Sequence, residues 1–285
     1  MCGVSGYYSL GEAVKLPLEM MVSWALLSAR GKDACGALWS VGTEERGLHA
    51  YRKAMPSFDC SVDAWAEIAS SPVRWAALHA RAATKGEPAN MLNNHPVRYG
   101  NVLVTHNGVI SNDGKVFEKL KLPRHGEVDT EAIAACLHAG GLKTLLSTIK
   151  GSMAIVWADV REPDTLQLYT NGQPLYVSST AEHLVYASGA EYLPIKLLGE
   201  ETLKLASGTH ILLRKSEVTV EDVGTGSTLN TPYRSWGGLG TAWYRCYDLF
   251  CRDYIKMGNH LHRYTNYTYD LHRGHTGGTH VAPTL

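Results

Sequence analysis

A chain of 285 residues with 27 Lys plus Arg against 27 Asp plus Glu carries no formal net charge. It is long enough for one large domain, or a domain with an appendage, and its balance argues against a dominant nucleic-acid or membrane-surface role. No stretch has the length of a membrane span or the form of a secretory signal, and the scattered cysteines (Cys2, Cys35, Cys60, Cys136, Cys246, Cys251) fit reduced thiols in a cytoplasmic protein.

Taken in chain order, residues 17–29 repeat apolar side chains at helical spacing after a proline suited to a first turn. Short extended runs follow at Gly36–Val41 and Gly47–Lys53, then a second helix over Asp59–Ser70. Val73–Ala80 and Asn101–Thr105 are apolar, β-rich and bounded by turn residues, so they read as buried strands. Asp129–Ala139 reads as a helix with Asp129 as N-cap, and Leu142–Ile149 as another. Beyond Ser152 the pattern is strands: Met153–Ala158, Leu166–Thr170, Leu175–Ser179, Leu184–Ala187, His210–Leu213 and Val218–Val223. Strands at both ends with helices between them predict an α+β layered fold rather than alternating βαβ units.

Composition changes near residue 225. Gly224–Pro232 is rich in Gly, Ser, Thr and Asn and reads as a linker. Residues 233–285 hold seven Tyr and five His, with six Lys/Arg against three Asp/Glu. A helix over 242–257 would align Trp243, Tyr247, Phe250 and Tyr254 on one face, suited to packing on the domain or on a partner; residues 272–285 read as a flexible end. Cys246 and Cys251 with His260 and His262 have the wrong spacing for a zinc site, so no metal is expected.

Chemistry-bearing residues fall into four clusters. They are Cys2-Gly3-Val4-Ser5-Gly6; Arg30-Gly31-Lys32-Asp33-Ala34-Cys35-Gly36; His79-Ala80-Arg81-Ala82-Ala83-Thr84-Lys85-Gly86 with Asn93-Asn94-His95-Pro96; and His106-Asn107-Gly108 with Val128-Asp129-Thr130-Glu131. If Met1 is removed, Cys2 carries a thiol (ordinary pKa ~8.5) and an α-amine (~7.7–8.0) on one residue, a nucleophile with its own general base. Asn107-Gly108, taken alone, also reads as a hairpin turn between Leu103 and Ile110.

In this order the clusters resemble the class II glutamine amidotransferases, whose nucleophile is an N-terminal cysteine. The resemblance runs over residues 2–215, with a weaker match at Asn171-Gly172-Gln173-Pro174-Leu175-Tyr176. It implies the four-layer αββα sandwich of the N-terminal nucleophile hydrolases over residues 1–225, followed by a linker and Tyr/His-rich extension over 226–285. It also implies hydrolysis of the glutamine side-chain amide through a Cys2 thioester, with no cofactor. Asn107 and Gly108 would form the oxyanion hole, Arg81 would grip the substrate α-carboxylate with help from Thr84, Lys85 and Gly86, and Asp129 would pair with the α-ammonium. Arg30 and Asp33 would build the site without touching substrate, and Gly36 would allow close packing. The chain departs from the pattern at Ala82, where a bulky aromatic is common, at Lys85, where the sugar-amidating members often have His, and at Val128, where Ser is usual. The residues beyond 225 are too few for a recognisable acceptor domain. The expectation is therefore ammonia passed to a separate protein, with homo-oligomerisation open. A γ-glutamyl amide or peptide hydrolase, and a catalytically silent binding domain, are the competing readings.

Overall fold

A computed structural model describes residues 1–41 and 47–224, with the side chains of 61–63 set aside. The expectations for the linker, the aromatic helix and the cysteine–histidine group of the tail, and so the 225/226 boundary, lie outside the described residues. In chain order the strands are β1 (Gly3–Ser9), β2 (Ala34–Ser40), β3 (Leu48–Lys53), β4 (Trp75–Arg81), β5 (Val97–Tyr99), β6 (Val102–Ile110), β7 (Gly151–Asp159), β8 (Thr165–Asn171), β9 (Tyr176–Ser179), β10 (His183–Ala187), β11 (Thr202–Lys204), β12 (Thr209–Arg214) and β13 (Glu217–Asp222). The α-helices are α1 (Leu18–Leu26), α2 (Ser57–Ile68), α3 (Asp113–Leu120) and α4 (Thr130–Thr148).

The strands form two antiparallel sheets, ordered β11-β9-β10-β1-β4-β2-β3 and β13-β12-β8-β7-β6-β5. Successive side chains point to opposite faces of a sheet, and in the first sheet both faces are covered, so β1, β2 and β4 are buried end to end. On the first sheet, Met20 and Trp24 of α1 and Cys60, Ala64 and Ile68 of α2 pack against Ala37, Trp39, Ala76, Leu78 and Ala80. On the second, Val116 and Phe117 of α3 and a run from Ala132 to Leu137 of α4 pack against Val102, Val104, Ile110, Ile155 and Trp157. Full burial of each large side chain contributes about 1.5–3 kcal/mol, so these two interfaces, rather than helix propensity, hold the outer layers in place. The remaining faces meet each other, with β1 and β4 against β6. The expected four-layer αββα sandwich is the fold.

Within the first sheet, the strands flanking β1 leave no room for a side chain at Gly6. A Cβ there would fall on the Tyr186 ring and 2.6 Å from the Ala76 carbonyl. The two helices expected over 129–149 lie end to end within α4 and are separated by a kink at Gly140 and Gly141, where the backbone leaves helical geometry and Gly141 has φ +67°.

Three expectations are corrected. Cys35 of β2 and Cys60 of α2 are paired as a disulfide, their Cα atoms 7.4 Å apart. Two of the six cysteines are therefore not dispersed thiols, and the inference of a reducing compartment loses that support. The strand expected over Asn101–Thr105 is longer: β6 runs through Asn107-Gly108 to Ile110, pairing Asn107 with Ala154 and Gly108 with Met153 of β7, so the turn that Asn-Gly alone suggests does not form. Asp129 does stand immediately before α4, but its side chain makes no capping bond. Its Oδ2 instead accepts the Ile110 N–H at 2.7 Å, tying the helix start to the end of β6.

Candidate active site

The site lies where the start of β1, the end of β4 and the middle of β6 converge. Cys2 directly precedes β1, and its Sγ faces the Ala82 carbonyl at 3.6 Å. Arg30, just beyond α1, donates from Nε to the Cys2 carbonyl at 2.9 Å, fixing the backbone that carries the thiol, and its guanidinium rests over the Tyr192 ring. Burial pushes the Cys2 thiol up from its ordinary value, with the Arg81 charge opposing. A thiol in this setting needs a base that takes its proton at the moment of attack, rather than a standing thiolate.

Asn107 is 1 % exposed, and neither its Nδ2 nor its Oδ1 has a hydrogen-bond partner among the described residues. An unsatisfied buried polar group costs about 1–3 kcal/mol, and an amide with both ends idle is available to a ligand. Strand alternation turns Asn107 toward the first sheet, because Val102, Val104 and Ile110 of β6 pack on the helical side. Gly108 has φ +149°, and a Cβ there would fall on the Ser152 carbonyl and 2.7 Å from the His106 ring. Only glycine suits this position.

Arg81 ends β4 and is 2 % exposed. It donates from Nη1 to Asn94 Oδ1 at 2.9 Å and from Nη2 to the carbonyls of Lys85 and of Gly86, the latter at 2.8 Å. The residues after it therefore curl back around their own guanidinium. A guanidinium has five N–H donors and these bonds use three, leaving donors for a carboxylate. Asp33 Oδ2 accepts from the Ala83 N–H at 2.7 Å and steadies the same loop. Gly31 packs against the Arg81 backbone, and a Cβ at Gly36 would fall on the His95 carbonyl, as its expected close packing requires. Thr84 is exposed on the loop, and Lys85 turns aside to Asp113 at 2.7 Å.

Sequence reasoning missed the layer beneath. Asn94 is fully buried; besides taking the Arg81 bond, it donates to the Pro88 carbonyl at 2.7 Å. His79, His95 and His106 form a buried cluster, the first two rings stacked with centroids 4.0 Å apart. His79 Nε2 lies 3.0 Å from the His106 carbonyl, which can only accept, so that nitrogen carries the proton. Thr130 Oγ1 lies 2.9 Å from His95 Nε2 and 3.0 Å from His106 Nδ1. With one hydroxyl proton, it donates to one ring and accepts from the other. The other ring nitrogen, His106 Nε2, has no hydrogen-bond partner among the described residues. The histidines of the two recognisable motifs were visible in the sequence, but their meeting at Thr130 is a property of the fold.

Burial holds all three rings below their ordinary value, His79 at about 3. The folded state thus keeps them neutral, while the unfolded chain binds protons near 6.5. Their contribution to stability is full above about 6.5 and is lost as pH falls toward the folded values. Acid titration of the melting temperature is expected to show this decline. Thr130→Val leaves two ring nitrogens without their partner, and urea denaturation is expected to show a loss of about 1–3 kcal/mol, with Thr130→Ser close to the parent.

Residues 81–194 match the family model of a glutamine amidotransferase domain. The chain carries a class II glutamine amidotransferase domain. Among curated relatives, it is 27 % identical over 252 residues to a glutamine–fructose-6-phosphate aminotransferase (isomerizing) of Halalkalibacterium halodurans, covering 82 % of this chain and 39 % of that one. It is 30 % identical over 217 residues to a 7-cyano-7-deazaguanine synthase of Saccharolobus solfataricus, covering 69 % of this chain and 44 % of that one. The chain thus spans about 39–44 % of the length of these two relatives. The glutamine phosphoribosylpyrophosphate amidotransferase of B. subtilis shares the fold, with TM-score 0.61 and 19 % identity over 78 % of this chain and 49 % of that one. That neighbour has the N-terminal nucleophile hydrolase fold, and the sandwich described above is the same architecture. Among the described residues no helix is long and apolar enough to cross a membrane, and no group of three His, Cys, Asp or Glu could hold a metal ion.

Proposed function

We propose that the domain, residues 1–225, hydrolyses glutamine to glutamate and ammonia with Cys2 as nucleophile after removal of Met1. The freed α-amine takes the thiol proton as Sγ attacks the side-chain amide carbon. The C=O π pair moves onto oxygen, where the Asn107 side-chain N–H and the Gly108 backbone N–H receive the developing charge. When the tetrahedral species collapses, the C–N bond breaks and the ammonium of Cys2 returns its proton to the departing nitrogen, releasing NH3 and leaving a γ-glutamyl thioester. Water, with the amine again as base, adds to the thioester; the C–S bond breaks and glutamate leaves. Arg81 binds the α-carboxylate, with the Thr84–Gly86 backbone beside it, and Asp129 binds the α-ammonium. Arg30 and Asp33 hold the nucleophile and the loop in position. The reaction uses no cofactor.

The observation that carries this reading is the idle amide of Asn107, buried in a strand beside a glycine whose backbone no other residue could adopt. The ammonia acceptor is assigned to a separate protein, with residues 226–285 as an extension available for docking. The test is incubation of purified, N-terminally processed chain with glutamine. Glutamate and ammonia in equal amounts are expected, with γ-glutamyl dipeptides cleaved more slowly. Preferential cleavage of the dipeptides would make it a γ-glutamyl hydrolase instead.

A further inference from the structure

One carboxylate joins the two loops that would recognise the substrate. Asp113 opens α3, and its side chain is 9 % exposed. Lys85 Nζ reaches its Oδ1 at 2.7 Å, and Arg124 Nη2 reaches its Oδ2 at 3.0 Å. Lys85 belongs to the loop folded around Arg81, which takes the Lys85 carbonyl as one of its own hydrogen-bond acceptors. Arg124 braces the segment that leads into Asp129, donating from Nε to the Gly126 carbonyl at 2.8 Å and from Nη2 to the Glu127 carbonyl at 2.7 Å, with its guanidinium over the Phe117 ring. The carboxylate end and the ammonium end of the site are thus tied to a single anion with one oxygen for each cation. Burial pushes Asp113 up, but the bonds from Lys85 and Arg124 outweigh it and hold the carboxyl below its ordinary value. Exposed ion pairs usually contribute little, because solvent screens them and both side chains must be ordered. Here the anion is nearly buried and Arg124 is already fixed by the carbonyls it holds, so both penalties are reduced.

We propose that Asp113 is a positioning residue that clamps the 82–86 loop to the 124–128 loop, so that Arg81 and Asp129 present the α-carboxylate and α-ammonium contacts as one pre-formed unit. The inference rests on the glutamine reading above. It also gives Lys85 a role that the departure from the family pattern left open: the side chain serves the loop and not the substrate. Pre-organisation of this kind raises affinity by reducing the ordering that binding would otherwise require.

The test is steady-state glutamine hydrolysis by the processed chain carrying Asp113→Asn, Asp113→Glu, Lys85→Met and the double Lys85→Met/Asp113→Asn. Asp113→Asn is expected to raise KM for glutamine about tenfold with kcat within about twofold. Asp113→Glu should recover most of the affinity, and the double variant should be no worse than the more impaired single. Added salt should raise the KM of the parent and leave that of Asp113→Asn almost unmoved. An unchanged KM in Asp113→Asn, a fall in kcat at unchanged KM, or fully additive effects in the double variant would overturn the clamp. Hydrogen–deuterium exchange reads the same claim without activity: Asp113→Asn should exchange faster in both loops, and unchanged exchange contradicts the proposal. A parent chain that hydrolyses no glutamine while this exchange effect is present would overturn the reaction and not the clamp.

Discussion

Cys2→Ala is expected to abolish glutamine hydrolysis, with kcat falling by about 10⁴-fold or more, because in the proposed reaction the thioester forms on its Sγ. Cys2→Ser should be nearly as inactive, since a hydroxyl with the same amine is a far weaker nucleophile at neutral pH. Neither change should unfold the protein. The Cys2 Sγ makes one long contact with a carbonyl, and the backbone at this position is held by Arg30 and not by the thiol. Measuring glutamate release beside the thermal melt separates the two effects: activity lost at an unchanged melting temperature is the expected pattern. The position also explains why burial of the thiol is tolerable. A neutral thiol costs little to desolvate, and the charge needed for attack exists only while the α-amine holds the proton.

Asn107→Ala is the second large effect, an expected loss of about 10²–10³ in kcat with KM little changed. An oxyanion donor acts on charge that exists only in the transition state, so its removal lowers kcat and kcat/KM together. The stability prediction runs opposite to the usual buried polar residue. Neither side-chain polar atom of Asn107 has a partner among the described residues, so truncation breaks no hydrogen bond to them and the melting temperature is not expected to fall in step with activity. Gly108→Ala differs on this point. The added Cβ meets the Ser152 carbonyl at a backbone angle of φ +149°, so both activity and stability are expected to fall.

The contrast between these neighbours shows what the sequence could and could not convey. Most strands and helices α1, α2 and α4 follow from apolar periodicity, whereas α3 is not read from the sequence. Strand β1 does not, because Gly3, Ser5 and Gly6 have poor strand propensity and are held by pairing with β4 and β10. Asn-Gly is a strong turn signal that the pairing of β6 with β7 overrides, so the local strand pattern ends at Thr105 although the strand does not. Motif order brought Cys2, Arg81, Asn107 and Asp129 to notice together. The supporting contacts were hidden because they are long-range. Thr130 joins histidines 35 and 24 residues away. Asp113 reaches Lys85 across 28 residues from a Ser111-Asn112-Asp113-Gly114 stretch that resembles an ordinary polar turn. The disulfide between Cys35 and Cys60 depends in the same way on how α2 lies across β2. Local pattern reports which residues carry chemistry; which residues hold them is decided by the sandwich.

The whole account turns on the amine of Cys2 being free. The most direct measurement is the intact mass of the purified chain together with its rate of glutamate release, for the parent and for Cys2→Ala. The account predicts a parent mass lacking Met1, vigorous release by the parent and none by Cys2→Ala. Full activity from chains that retain Met1, or equal activity from the two proteins, would contradict it.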